Sequence, residues 1–154
     1  EEITVVIKQY VLERFEREYN LLIELPGVSA IVACVILSEI GPNVEAFKSQ
    51  GNLASWAGVC PGSYESAGIK KSSHTTQGNK YLKSILFQAG GTAGRSKDEA
   101  FHNLYARIYG RSSKMKAIIA CAHKMIRVIY KILNTGEHYD AKKALGLRQQ
   151  ARAN

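Results

Sequence analysis

Apolar residues recur at three- and four-residue spacing along most of this chain. Val5, Leu12, Phe15, Tyr19 and Leu22, joined by Lys8, share one seam of a first helix, which should run for about six turns. Between them stand Glu, Arg and Gln, the composition of a helix packed on one side, a connector or a coiled-coil strand. An almost wholly apolar helix is expected over 30–40, and a short one from Val44 to Ser55 with Phe47, Leu53 and Trp56 as core anchors. Leu82, Ile85, Leu86 and Ala89 mark the next helix, which Gly90, Gly91 and Gly94 should weaken. Phe101, Leu104, Tyr105 and Ile108 mark another, started by Ser96, Asp98 and Glu99. The longest starts at Ser112 or Ser113, carries Met115, Ile118, Ile119, Ala122, Ile126, Ile129 and Leu133 on one side, and ends at Asn134-Thr135-Gly136. No strand pattern of any length interrupts this periodicity, so the fold class is all-α.

Punctuation divides the helices. Pro26-Gly27 stops the first and Gly41-Pro42 ends the second. The turn at Gly27, Val28 and Ser29 resembles the helix-hairpin-helix module, whose Pro-Gly-Val type turn offers backbone N–H groups to a nucleic-acid phosphate without reading bases. It equally fits a tight turn between two core helices. The other large interruption is Gly58 to Lys83, a polar, basic loop where Ser63, Ser66, Ser72, Ser73, Thr75 and Thr76 stand beside Lys70, Lys71 and His74. Hydroxyls among cations suit phosphate, and a loop of this length inside a compact domain is functional or disordered.

Charge sharpens this picture. The 154 residues carry a formal +8, yet residues 1–65 hold an acidic excess while residues 66–154 hold 17 of the 21 Lys and Arg against four acids. Such a half presents the field that a polyanion needs, or else a solvated basic face. Lys80 and Lys83 lie beside the apolar stripe of their helix, and Lys124, Arg127 and Lys131 form a ridge that either tracks a phosphate backbone or keeps its helix soluble. The last residues, AKKALGLRQQARAN, read as a frayed basic tail.

Much chemistry is excluded by what is missing. There is no HExxH, no phosphate-binding glycine loop of Walker type and no carboxylate cluster. His74, His102, His123 and His138 are scattered singly, and Cys34, Cys60 and Cys121 form no CxxC pair, so a metal site is not expected and the thiols read as free. The opening EEITVVIK lacks the layout of an export signal, no run is apolar enough for a membrane, and a reducing cytoplasm fits the cysteines. The same opening reads as the middle of a helix, and the chain as a fragment of something longer. What survives is a serine in the loop attacking phosphorus while cations neutralise the oxygens. Composition does not choose among Ser63, Ser66, Ser72 and Ser73.

Four runs, LIELPGVSAIVACVILSEIG, FKSQGNLASWAGVCPGSYESAG, TTQGNKYLKSILFQAG and AIIACAHKMIRVIYKILNTGEHYD, resemble the carboxy-terminal domain of the Piv/MooV-type insertion-sequence transposases, the bridge-RNA-guided recombinases of the IS-one-ten family. The resemblance implies that Ser66 is the nucleophile that links covalently to DNA. Glu65, Ser66, Ala67 and Gly68 stand where the family usually reads Gln-Ser-Gly-Gly, and Gln77 to Lys80 match its helix start, which implies that Asn79, with Lys80, contacts nucleic acid. It further implies DNA and a guide (bridge) RNA as partners, a homo-oligomer, and magnesium on an acidic tetrad in an amino-terminal domain rather than a cofactor here. The expected layout is a connector helix over 1–20, the transposase domain over 21–140 and the basic tail over 141–154, in a bacterial, nucleoid-associated protein. The competing reading is a non-catalytic nucleic-acid-binding helix-hairpin-helix module.

Overall fold

The computed structural model describes residues 2–60, 64–66, 69–72 and 79–145. Six helices carry the fold: α1 (Glu2–Leu22), α2 (Ala30–Ile40), α3 (Gln50–Trp56), α4 (Lys80–Gly94), α5 (Glu99–Arg111) and α6 (Lys114–Thr135). A further helical turn covers residues 141–145. The all-α class holds, with one addition: β1 (Tyr64–Ser66) and β2 (Ile69–Ser72) pair antiparallel inside the expected loop. Two strands of three and four residues are too short to leave a readable period-2 pattern.

Side chains that accept from the backbone start most of these helices. Ser29, Ser49, Asn79, Asp98 and Ser113 each accept from backbone N–H groups of the first turn of α2 to α6 in that order, satisfying donors that a helix leaves unpaired. Gly136 closes α6 at φ +72°, a left-handed position, and its N–H returns to the carbonyl of Ile132. The short third helix starts later than expected, at Gln50 rather than Val44. Asn43 explains this, because its Oδ1 accepts from Glu45 N at 2.8 Å and holds the chain in a turn.

α6 is the spine of the core. It packs against α3, α4 and α5, and Cys121, Met125, Ile126 and Ile129 on it have no solvent exposure. Each such Ile or Met contributes roughly 1.5–3 kcal/mol by leaving water. Met115, expected in the same stripe, is 57% exposed. Trp56 is also no core anchor: it is 39% exposed and leans on Phe47 at 5.4 Å between centroids. The start of the expected tail is docked, not frayed, since Ala144 is buried.

α4 runs unbroken through its glycines, against expectation. Gly90 faces α6 so closely that a Cβ there would sit 2.6 Å from Ala122 N, and a Cβ at Gly94 would lie 2.7 Å from Cγ of Tyr105. Close backbone approach to neighbouring helices offsets their poor helix propensity. Gly90 meets Ala122, whereas Asn79 at the start of α4 bonds Trp56, whose partner Phe47 is held by Tyr130 eight residues further along α6, so the two helices run antiparallel. The start of α4, where the hairpin segment ends, therefore lies toward the later turns of α6.

α1 divides at Phe15, whose φ of −133° and ψ of 38° put a kink in the helix. Tyr19 and Leu22 beyond it are buried, as the seam predicts, and Val11 is buried as well. Before the kink, Ile3, Val5, Val6 and Tyr10 are exposed, so the seam does not pack along its full length.

Candidate functional site

The segment with Ser66 springs from two fixed points. At its far end Asn79 N donates 3.0 Å to the carbonyl of Trp56, joining the start of α4 to the end of α3. The Asn79 side chain is engaged twice: Oδ1 accepts from Tyr81 N and Leu82 N, and Nδ2 donates 2.7 Å to Glu39 Oε2 on α2. A residue expected to touch nucleic acid thus ties three helices together, and Glu39 is a partner that sequence reasoning missed. At the near end Tyr130 on α6 donates 3.3 Å to the carbonyl of Phe47, which holds the Phe47–Trp56 pair against the spine.

Between these points the backbone forms the hairpin. Ser66 pairs in register with Ile69, Glu65 with Lys70 and Tyr64 with Ser72, with an irregularity between Tyr64 and Glu65. Ser66 is therefore the last paired residue of β1, and Lys70 and Lys71 follow on β2. His74 lies outside the described residues, as do Ser63, Ser73, Thr75 and Thr76.

The cations of α4 and α6 differ in how far they are committed. Lys80 is exposed with its Nζ 5.4 Å from the Tyr81 ring centroid, and Lys83 lies 5.7 Å from that of Phe87. Lys131 is exposed and Arg127 half-buried. Lys124 is no solvated ridge residue: its Nζ donates 2.8 Å to the carbonyl of Ala144, and burial, helped by the Arg127 charge, lowers its pKa. Arg127 acts on Cys60 as well, where burial nonetheless keeps the thiol above its ordinary range. It also adds to the burial that holds His123 below the usual histidine range. The Arg127 charge is thus felt at Cys60, the last described residue before the hairpin segment.

The three thiols are free; Cys34 and Cys121 are buried, and burial pushes Cys121 up to about 12, which leaves it an inert thiol. Among the described residues no three His, Cys, Asp or Glu side chains converge to hold a metal ion. His138 instead pairs with Glu24 at 2.8 Å, and Tyr139 donates to Asp98 Oδ2 at 2.8 Å. Neither contact was legible, because both join residues far apart in sequence.

The turn of Gly27, Val28 and Ser29 packs on α4 through its glycine, while Ser29 is exposed. Gly27 holds φ +79° against α4, and a Cβ there would collide with the carbonyl of Ala89 and lie 3.0 Å from Ala93 N. Val28 is buried with its N–H on the carbonyl of Leu25, and Ser29 Oγ caps α2. These contacts give the turn an architectural job in joining α1, α2 and α4.

The described residues thus form a helical domain with a short two-stranded hairpin set between α3 and α4. Residues 19–106 match the family described as Transposase IS116/IS110/IS902, and the chain belongs to that family. It is 32% identical over 83% of its length to a putative transposase y4pF/y4sB of Sinorhizobium fredii, of which it covers 34%. It is 28% identical over 85% of its length to an uncharacterized 43.6 kDa protein of insertion element IS110 from Streptomyces coelicolor, covering 32% of it. The pilin gene-inverting protein of Moraxella bovis is 29% identical over 80% of this chain, which covers 39% of that protein. The chain thus spans about a third of the length of these relatives.

Proposed function

We propose that this chain is the part of a DNA transposase that supplies a serine nucleophile, Ser66, for strand cleavage and exchange. What carries the reading is the position of Ser66 at the end of β1, paired beside the strand that bears Lys70 and Lys71, in a chain of a transposase family. In the reaction the Ser66 hydroxyl loses its proton and its Oγ bonds to phosphorus, while the bond from phosphorus to a sugar oxygen breaks and that oxygen leaves protonated. Attack by another strand's hydroxyl on that phosphorus then breaks its bond to Ser66 Oγ, which leaves protonated, and completes the exchange with no outside energy source. Lys70, Lys71 and His74 offset the charge of the five-coordinate phosphorus. Lys80, Lys83, Arg127 and Lys131 hold DNA backbone, and a guide RNA, next to the loop.

The family resemblance brings with it magnesium on an acidic tetrad of an amino-terminal domain. The described residues do not fit such a site, and no step here runs through it. A proton acceptor for Ser66 is expected from that same domain, so this chain alone should cleave nothing. Copies associate through the apolar face of α1 before its kink, where Ile3 and Val6 are 76% and 64% exposed; this supports a connector helix apart from the domain at 21–140. No helix among the described residues is long and apolar enough to cross a membrane.

The test is covalent trapping with the full-length recombinase, magnesium and guide RNA. The wild type and the Ser63→Ala, Ser72→Ala and Ser73→Ala variants should form a protein–DNA adduct, and Ser66→Ala should form none. An adduct that persists in Ser66→Ala and vanishes in another variant overturns the assignment.

A further inference from the structure

We propose that the corner between α5 and α6 is a second nucleic-acid surface, which holds a single strand by its phosphates and by one unpaired base. The first support is charge. From Ala100 to Gly136 the chain contains seven Lys and Arg and no acidic residue, and four of those cations, Arg107, Arg111, Lys114 and Lys116, fall within ten residues at this corner. Arg111, Lys114 and Lys116 are exposed, and no carboxylate among the described residues pairs with any of the four. Arg107 is half-buried, and its shielded Nε has no hydrogen-bond partner among the described residues. Packing does not account for this cluster, in contrast to Lys124, whose ammonium is tied to Ala144.

The second support is aromatic. Tyr105 is wedged on the glycine surface of α4 at Gly94, and Tyr109, one turn later, stacks on it at 5.9 Å with an interplanar angle of 17°. Tyr109 is 54% exposed. An outward ring on a rigid backing ring, among cations, is a platform on which a base can stack. A base inside a duplex has no free face to offer, so the occupant is a single strand. From the antiparallel arrangement of α4 and α6, this corner lies at the end of the pair opposite the Ser66 hairpin; about fifteen residues of helix, roughly 22 Å, separate Lys114 from Ile129. The surface needs no strand cleavage and stands apart from the assignment of Ser66.

The experiment measures binding of fluorescent oligothymidine and oligouridine, and of a duplex of equal length, to the 154-residue chain across a salt series. Arg111→Gln/Lys114→Gln should weaken single-strand binding about tenfold at low salt and flatten the slope of log affinity against log salt by about 1.4, two cations at ~0.7 each. Tyr109→Ala should weaken it about tenfold with the slope unchanged, and Tyr109→Phe should bind like wild type. Lys114→Gln/Lys116→Gln repeats the charge test on a different pair. Loss with either oligomer supports the surface and shows which sugar it prefers. Single-strand binding within twofold of wild type in both charge pairs overturns it, as does equal loss on the duplex, or loss confined to a Lys80→Gln/Lys83→Gln control.

Discussion

The later turns of α6 and its first turn are both basic, but their cations stand in different relations to the protein. Lys124 is half-buried and hydrogen-bonded to Ala144, and Arg127 sits among Cys60, His123 and Lys124. Lys114 and Lys116 are exposed, and neither ammonium pairs with a carboxylate among the described residues. Net charge does not distinguish them. A cation placed within the fold contributes stability and orients what surrounds it, whereas one left outside is available to a polyanion. Mutations should therefore separate Lys124, whose loss costs stability through its bond to Ala144, from Lys114 and Lys116, whose loss costs binding of a single strand at the corner.

The largest effect is expected where the helices touch. Gly90→Val would drive side-chain atoms into the backbone of α6 at Ala122 and should cost about 3 kcal/mol or more. Gly110, with nothing within 4 Å of its would-be Cβ, should tolerate Ala and gain about 0.5–1 kcal/mol. Denaturant melts of both variants check the pair, and equal effects would break the idea that α4 keeps its glycines for close approach. Next, Asn79→Ala should cost about 1–2 kcal/mol by removing the cap of α4, and should also free Glu39 from its partner. An Asn79→Ala protein as stable as wild type would mean that the hairpin root is not held as described.

A smaller and more pointed contrast is Lys124→Ala against Lys114→Ala. The first should lower stability by about 1 kcal/mol through the lost bond to Ala144, and the second should stay within about 0.5 kcal/mol of wild type. The smallest effect concerns pH. Burial, then the Arg127 charge, lowers the folded pKa of His123, so the unfolded chain binds a proton first as pH falls. This contribution to stability is full above about 6.5, the ordinary histidine value, and declines below it. Melting temperature should fall with acidification through that range, and His123→Gln should flatten the dependence. A steeper decline in the variant would contradict the sign.

The helices were legible because their stripes and stops are local. Asp98 and Ser113 cap where hydroxyl and carboxylate residues precede apolar runs, and Gly136 ends α6 where Asn134-Thr135-Gly136 marks a stop. The errors came where tertiary contact overrides propensity. Three glycines read as weakness until α6 and Tyr105 are seen against them, and the turn at Gly27, which the sequence leaves open between a phosphate contact and a tight turn, has α4 packed behind it. Exposure of Trp56 could not be read either, since it depends on where Phe47 and α6 stand. Of the site, the hydroxyl-bearing, basic loop was visible in composition. Ser66 was not singled out by any physical signal in the sequence; the resemblance chose it, and pairing with Ile69 then put it at the end of a strand.

The most direct measurement of the central claim is to map the protein–DNA linkage by mass spectrometry after trapping by the full-length recombinase. Nuclease treatment would leave a nucleotide on the tryptic peptide spanning Ser49 to Lys70, which contains Ser49, Ser55, Ser63 and Ser66. Fragment ions should place the added mass on Ser66. A nucleotide on Ser63, or on a peptide carrying Ser72 or Ser73, would contradict the account.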